Sequence, residues 1–102
     1  MLRFILAFAV LPFTAAADCV VLLHGLARTE SSFAIMEEVL RERGFDVVRP
    51  GYPSTQAKVQ TLVDITLPEA VKDCGPTKVH FVTHSMGGIL LREWLRDNRP
   101  ED

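Results

Sequence analysis

Residues 83–87, with the sequence THSMG, constrain the fold of this chain more than any other segment. They follow an apolar run at residues 79–82. After them, apolar side chains recur at helical spacing. This order predicts a strand, a sharp turn with Ser85 at its centre, and a helix over residues 86–97. In that context a G-x-S-x-G-like motif indicates an exposed nucleophilic serine. The alternative is a glycine-rich turn in which Ser85 only caps the helix.

Two further apolar runs predict strands. Residues 19–23 and 45–48 are short and largely apolar, and with residues 78–83 they give three strands separated by helical patterns. Strands that alternate with helices predict a parallel sheet with right-handed crossovers. We therefore expect an α/β fold of three layers, α/β/α, with a mostly parallel sheet in which the first and third strands are neighbours.

The helices between these strands have recognisable ends. Residues 33–43 carry apolar side chains at helical spacing, with N-cap candidates at residues 29–32 and a stop at Gly44. A second helical pattern begins at Val59. Pro68 either kinks this helix or opens a new one, because proline fits the first turn of a helix better than its interior.

The first 17 residues predict a signal peptide. Arg3 supplies the positive charge, residues 4–11 form a short apolar stretch, and residues 15–17 are three alanines that suit a cleavage site. We expect cleavage after Ala17, leaving residues 18–102 as an exported domain that is periplasmic or secreted. The alternative is an uncleaved N-terminal segment that anchors the protein to a membrane.

The exported part contains two cysteines, Cys19 and Cys74. Cys19 begins the first predicted strand, and Cys74 lies four residues before the third. Both therefore fall near the N-terminal edge of the sheet, opposite Ser85. An even number of cysteines in an oxidising compartment allows a disulfide. The alternative is two independent buried thiols.

The charges of the chain are nearly balanced and scattered. Eleven lysines and arginines stand against thirteen acidic residues. This pattern argues against a nucleic-acid partner and against polybasic membrane binding. No metal site is predicted, and the sequence sets no oligomeric state.

The end of the first strand carries a second motif, His24-Gly25-Leu26, which we call the HGL loop. An acyl-transfer site needs two N–H donors aimed at the developing oxyanion, and here these would be the backbone N–H groups of Leu26 and Met86. Gly25 lets the backbone approach a substrate closely. Neighbouring parallel strands end at one edge of a sheet, so we expect both donors at that edge. The expected substrate-binding residues are His24, Gly25 and His84, with His24 also holding the loop by hydrogen bonding.

The HGL loop, followed much later by THSMGG at residues 83–88, resembles the α/β-hydrolase superfamily. Within it the chain is most similar to bacterial lipases and esterases. The resemblance implies that Ser85 is the acyl nucleophile and that Leu26 and Met86 form the oxyanion hole. It also implies small-molecule or lipid esters of carboxylic acids as substrates, no cofactor, and compatibility with transient contact with a lipid surface. Thr83 departs from the family, which usually has glycine or another small residue there, and we expect the turn to tolerate it.

The base that should activate Ser85 has no clear source in the sequence. In this superfamily the acid and the histidine follow the nucleophile, whereas 17 residues follow Ser85 here and none is histidine. His24, His80 and His84 are predicted to be structural, because none suits the geometry of a general base. We therefore interpret the chain as the N-terminal part of a hydrolase, ending after the helix that follows Ser85 and inactive by itself. The alternative is an exported, non-catalytic binding protein that keeps the turn.

Overall fold

The computed structural model of the protein describes residues 17–26, 28 and 30–99. The predicted signal peptide lies outside these residues except for Ala17. Within the described ranges no helix is both long enough and apolar enough to cross a membrane.

One sheet of three parallel strands organises the described residues. The strands are β1 (Cys19–Leu23), β2 (Asp46–Val48) and β3 (Val79–Thr83), in the spatial order β2-β1-β3. β1 and β3 pair in register along their whole length, so that Leu23 lies opposite Thr83. The predicted adjacency of the first and third strands is therefore confirmed. Every residue of β1 is buried, as expected for a central strand covered on both faces.

Three α-helices connect or follow these strands in the described part of the chain. They are α1 (Ala34–Glu42), α2 (Val59–Cys74) and α3 (Met86–Asn98). A 3₁₀ turn over Glu30–Phe33 precedes α1. The N-cap of α1 is Phe33, which makes no side-chain capping bond, so the N-cap predicted at residues 29–32 is wrong. A 3₁₀ turn occupies residues 30–33 instead.

The proline in α2 does not divide that helix. Pro68 lies inside one continuous helix of 16 residues, so the second of the two predicted options, a new helix opened by proline, does not occur. The inward face of α2 carries six buried residues, and this burial favours a helix despite the backbone hydrogen bond that proline removes. The buried residues are Leu62, Val63, Thr66, Leu67, Ala70 and Cys74.

Apolar side chains fill both faces of the sheet. On one face, alternate residues of β1 pack with Leu62 and Leu67 of α2 and with Leu90 of α3. On the other face, Val20, Leu22 and Val47 form a second cluster, against which lie partly buried side chains from the region of α1 and the sheet. These are Phe33, Leu40, Phe45 and Val82. The three-layer α/β/α class predicted from the sequence is confirmed.

A disulfide joins the start of β1 to the end of α2. Cys19 and Cys74 are bonded, with their Cα atoms 5.7 Å apart and 55 positions apart in sequence. Cys19 is fully buried and Cys74 nearly so. The bond lies at the N-terminal end of β1, and the HGL loop lies at the other end of the same strand.

Candidate active site

Ser85 occupies an unusual backbone conformation between β3 and α3. Its φ and ψ angles are +53° and −116°, and it is the one non-glycine residue with positive φ in the described residues. Such a conformation is costly for a residue with a Cβ atom and is typical of functional turns. Ser85 is exposed and stands at the N-cap of α3 without a side-chain capping bond. The capping role considered above is therefore not what its hydroxyl performs here.

The turn is sharp because glycine lets α3 begin directly against β1. A Cβ atom on Gly87 would lie 2.3 Å from the carbonyl oxygen of Leu23, closer than any real contact. The N–H of His84 donates to the same Leu23 oxygen at 3.1 Å. We call residues 83–87 the serine elbow. Thr83 fits because the Cβ position of Gly88 lies 3.3 Å from its hydroxyl oxygen and is empty in glycine.

The HGL loop lies in direct contact with the serine elbow. A Cβ atom on Gly25 would come within 2.7 Å of the His84 ring and 3.2 Å of the Ser85 Cβ. Glycine is therefore required where the two segments meet. The N–H of Arg28 donates to the Gly25 carbonyl at 3.1 Å and closes a turn in which Leu26 is the second residue. The N–H that closes this turn is that of Arg28, not that of Leu26.

The two predicted N–H donors lie on the two sides of this contact. Leu26 follows Gly25 and is exposed, with 55% of its surface accessible. Met86 is the first residue of α3, and the first N–H groups of a helix have no acceptor within the helix. The hydrogen bond that closes the turn and the hydrogen bonds within α3 therefore do not use these two N–H groups.

A cavity of about 200 Å³ adjoins the contact between the HGL loop and the serine elbow. All three predicted substrate-binding residues line it, namely His24, Gly25 and His84. The sequence did not predict its other lining residues, Arg28, Ser32 and Phe33. A larger cleft of about 530 Å³ lies beside β3, near Phe81 and Trp94, and Ser85 is among the lining residues of neither cavity.

The His24 ring is fully buried, although the residue is among those that line the cavity. Nδ1 of His24 lies 3.0 Å from the Gly25 carbonyl oxygen. A carbonyl oxygen can only accept, so the proton is on Nδ1. Nε2 is buried and makes no hydrogen bond within the described structure.

Tyr52 is a contributor that the sequence did not reveal. It follows β2 in a loop rich in turn residues, yet its side chain is buried. The ring stacks on the His24 ring with centroids 3.8 Å apart, and the hydroxyl donates to the His24 carbonyl oxygen. Burial raises the pKa of Tyr52 to about 12, which keeps the hydroxyl protonated as a donor. In the sequence, Tyr52 is one aromatic residue among turn-forming residues, and that pattern does not indicate a contact with His24.

The three histidines are engaged in other contacts. His24 is stacked beneath Tyr52. His80 places Nε2 3.0 Å from a carboxylate oxygen of Asp18. His84 is exposed and lies against Gly25. Within the described ranges no histidine is hydrogen-bonded to the Ser85 hydroxyl, and no group of three or more His, Cys, Asp or Glu side chains is placed to hold a metal ion.

Comparison with known proteins gives one match. A family model described as the alpha/beta hydrolase family matches residues 20–99. No curated protein and no solved structure matches the chain. The matched range contains nearly all of the sheet, the three helices, the HGL loop and the serine elbow.

Proposed function

Because the chain belongs to the alpha/beta hydrolase family, we propose that the protein hydrolyses carboxylic esters through an acyl-enzyme on Ser85, as lipases and carboxylesterases do. The observation that carries this proposal is the exposed, positive-φ conformation of Ser85 on a strand–turn–helix. That conformation costs stability, and a turn residue without a chemical role would have no reason to keep it. The reaction needs no cofactor.

The proposed reaction proceeds in two halves. The Ser85 Oγ attacks the ester carbonyl carbon while a general base takes its proton, and the carbonyl oxygen becomes an oxyanion. The N–H groups of Leu26 and Met86 stabilise that oxyanion. The alcohol leaves with the proton, and Ser85 holds the acyl group. A water molecule then attacks the acyl-enzyme, releasing the carboxylic acid and restoring the Ser85 hydroxyl.

The general base in this proposal is a residue other than the three histidines discussed above. His24 is buried beneath Tyr52, and His80 is paired with Asp18. His84 immediately precedes Ser85 and lies against Gly25. A base must reach the proton that it removes, at about 2.6–3.2 Å or through one water molecule. Each of the three rings is held in another contact, so none of them is placed to take the Ser85 proton.

The setting of the site supports a small-molecule or lipid ester as substrate. The cavity of about 200 Å³ next to the serine elbow, which His84 lines, suits the acyl or alcohol part of a small ester. The exposed Leu26 side chain adds apolar surface near it, which is compatible with transient contact with a lipid surface. We also propose, from the N-terminal sequence alone, that the protein is exported.

A covalent probe tests the proposal. A fluorophosphonate should label Ser85 in the full-length protein, because it mimics an acyl substrate and places an oxygen at the donor site. Replacing Ser85 by alanine should abolish labelling and lower the hydrolysis of p-nitrophenyl butyrate by ~10⁴-fold or more. Ser31→Ala is the control, because it removes another exposed hydroxyl, one that lies outside the serine elbow.

The labelled peptide decides between outcomes. Modification of Ser31, Ser32 or Ser54, or full activity in the Ser85→Ala protein, would refute the assignment of Ser85. A folded full-length protein that the probe never labels would instead favour a non-catalytic binding protein that keeps the serine elbow.

A further inference from the structure

Tyr52 lies in the loop that follows β2, yet it is packed against a different part of the chain. Its neighbours Gly51 and Pro53 are exposed, while Tyr52 itself is only 7% accessible. An aromatic ring that is buried between two exposed neighbours must be held by specific contacts. Here both the ring and the hydroxyl contact His24, the first residue of the HGL loop.

We propose that Tyr52 is the positioning residue of the HGL loop, fixing the His24 peptide so that the Leu26 N–H is held toward the oxygen that develops on a substrate at Ser85. The inference rests on the proposed function for the identity of that oxygen. Tyr52 contacts neither substrate nor reacting atoms in this account. It acts through His24.

Two independent contacts fix the His24 position. The nearly parallel rings, 13° apart with centroids at 3.8 Å, restrict tilting of the loop. The hydroxyl of Tyr52 donates to the His24 carbonyl, which belongs to the peptide unit that joins His24 to Gly25. Rotation of that peptide unit would move Gly25 and, through it, Leu26. The hydrogen bond from Tyr52 therefore restricts rotation of the peptide unit that leads to the donor.

Gly25 lies close to the serine elbow, so the position of the HGL loop affects the distance between the two segments. The Cβ position of Gly25 is 3.2 Å from both the His84 carbonyl oxygen and the Ser85 Cβ. The missing Cβ atom of Gly25 lets the loop lie this close to the serine elbow, and a lost bond to Tyr52 would let it move away. Oxyanion donors act at about 2.7–3.1 Å, so a displacement of a few tenths of an ångström weakens them.

The test compares Tyr52→Phe, which keeps the ring and removes the donor, with Tyr52→Leu, which removes both contacts. We expect kcat for p-nitrophenyl butyrate to fall ~10-fold in Tyr52→Phe and ~10²-fold in Tyr52→Leu, with KM within ~2-fold, because oxyanion donors act mainly in the transition state. Val47→Ala is the control, because Val47 is buried in the cluster on the opposite face of the sheet. It should lower stability without lowering kcat, when all variants are assayed well below their unfolding temperatures.

Amide hydrogen exchange gives a second readout that needs no activity. The Arg28 N–H closes the turn of the HGL loop, and the Cys19 N–H donates to Lys78 at the far end of β1. In Tyr52→Phe the exchange of Arg28 should accelerate ~10-fold relative to that of Cys19, because the loop opens locally while the sheet does not. Val47→Ala should leave this ratio unchanged.

The outcomes separate the two proposals. A wild-type protein that is not labelled at Ser85 overturns the proposed function, and the exchange ratio alone then decides whether Tyr52 holds the loop. A labelled wild type with an unchanged kcat and exchange ratio in Tyr52→Phe overturns the role of Tyr52 and leaves the proposed function standing. Equal acceleration of amide exchange at Arg28 and Cys19 would show that Tyr52 contributes only to the stability of the whole fold. That result would also overturn the inference.

Discussion

The HGL loop and the serine elbow follow neighbouring parallel strands, and the chain holds them in different ways. The HGL loop follows β1, which is buried throughout, and side-chain contacts fix it from outside its own segment. The serine elbow follows β3, which is only partly buried, and its residues 83–85 are exposed while Gly87 is buried. Its shape depends on close backbone packing at Gly87 and on the conformation of Ser85.

This difference suits the two tasks that we propose for the site. A nucleophile must be reachable, so the serine elbow carries little covering structure and is fixed by steric fit. An N–H donor must be aimed accurately, so the HGL loop is tied to Tyr52 and supported by a strand that a disulfide anchors at its other end. Variants that remove a hydrogen bond should therefore disturb the HGL loop most. Variants that add a side-chain atom should disturb the serine elbow most.

The largest effect should come from the disulfide that anchors β1. Replacing both Cys19 and Cys74 by alanine should lower the free energy of unfolding by about 4 kcal/mol, given the 55 positions that separate them. The reason is that the cross-link restricts the unfolded chain. Urea unfolding of the oxidised, the reduced and the double-alanine proteins measures it. Equal stability of oxidised and reduced protein would show that the disulfide does not stabilise the fold. Peptide mapping that finds both thiols free would show that the disulfide does not form.

Adding one carbon to the serine elbow should have the next largest effect. Gly87→Ala should cost about 3 kcal/mol, because the new Cβ would meet the Leu23 carbonyl oxygen at 2.3 Å and neither backbone can rotate away. Gly88→Ala is the matched control. Its Cβ would meet the Thr83 hydroxyl at 3.3 Å, and a side chain can adjust.

The pair of glycine variants is read by thermal or urea unfolding. We expect Gly88→Ala to change stability by less than ~1 kcal/mol, since alanine also favours the helix. Similar costs for the two variants would show that the elbow is not defined by its contact with β1.

The sequence predicted the serine elbow better than its surroundings because the elbow is a local structure. The strand, turn and helix around Ser85 are contiguous, and each leaves a pattern in adjacent residues. The adjacency of β1 and β3 followed from general rules of parallel sheets. Tyr52 could not be found in this way, because its contacts are with a residue 28 positions away and its own neighbours predict only a turn. The 3₁₀ turn before α1 was missed for a similar reason, since Ser31 and Ser32 match an N-cap signal equally well.

A smaller effect tests whether Ser85 is strained. Glycine adopts a φ of +53° without the cost that a Cβ atom imposes. Ser85→Gly should therefore be about 1 kcal/mol more stable than Ser85→Ala, the reverse of the usual order for exposed positions in regular structure. Both variants lack the hydroxyl, so chemical denaturation of the two compares the backbone alone. A less stable glycine variant would mean that the elbow stores no strain.

The smallest effect concerns an ion-pair network on the α1 side of the sheet. Glu37 accepts hydrogen bonds from Arg49, which follows β2, and from Arg41 at 2.7 Å. The bond from Arg49, and then that from Arg41, lowers the pKa of Glu37 below its ordinary value of 4.5. A carboxyl group with a lower pKa in the folded state adds stability above its unfolded pKa, and this stability is lost as the pH falls through the folded pKa.

Glu37→Gln should therefore lower the free energy of unfolding by less than ~1 kcal/mol at pH 7, and the difference from wild type should shrink as the pH falls below 4.5. Urea unfolding at pH 7 and near pH 3.5 measures both values, with Glu38→Gln, an exposed neighbour on α1, as the control. The network lies on the opposite face from the cluster that contains Tyr52, so the Arg28 exchange rate should not change. A pH-independent difference would show that Glu37 acts through packing, and faster Arg28 exchange would show that the HGL loop depends on α1 as well as on Tyr52.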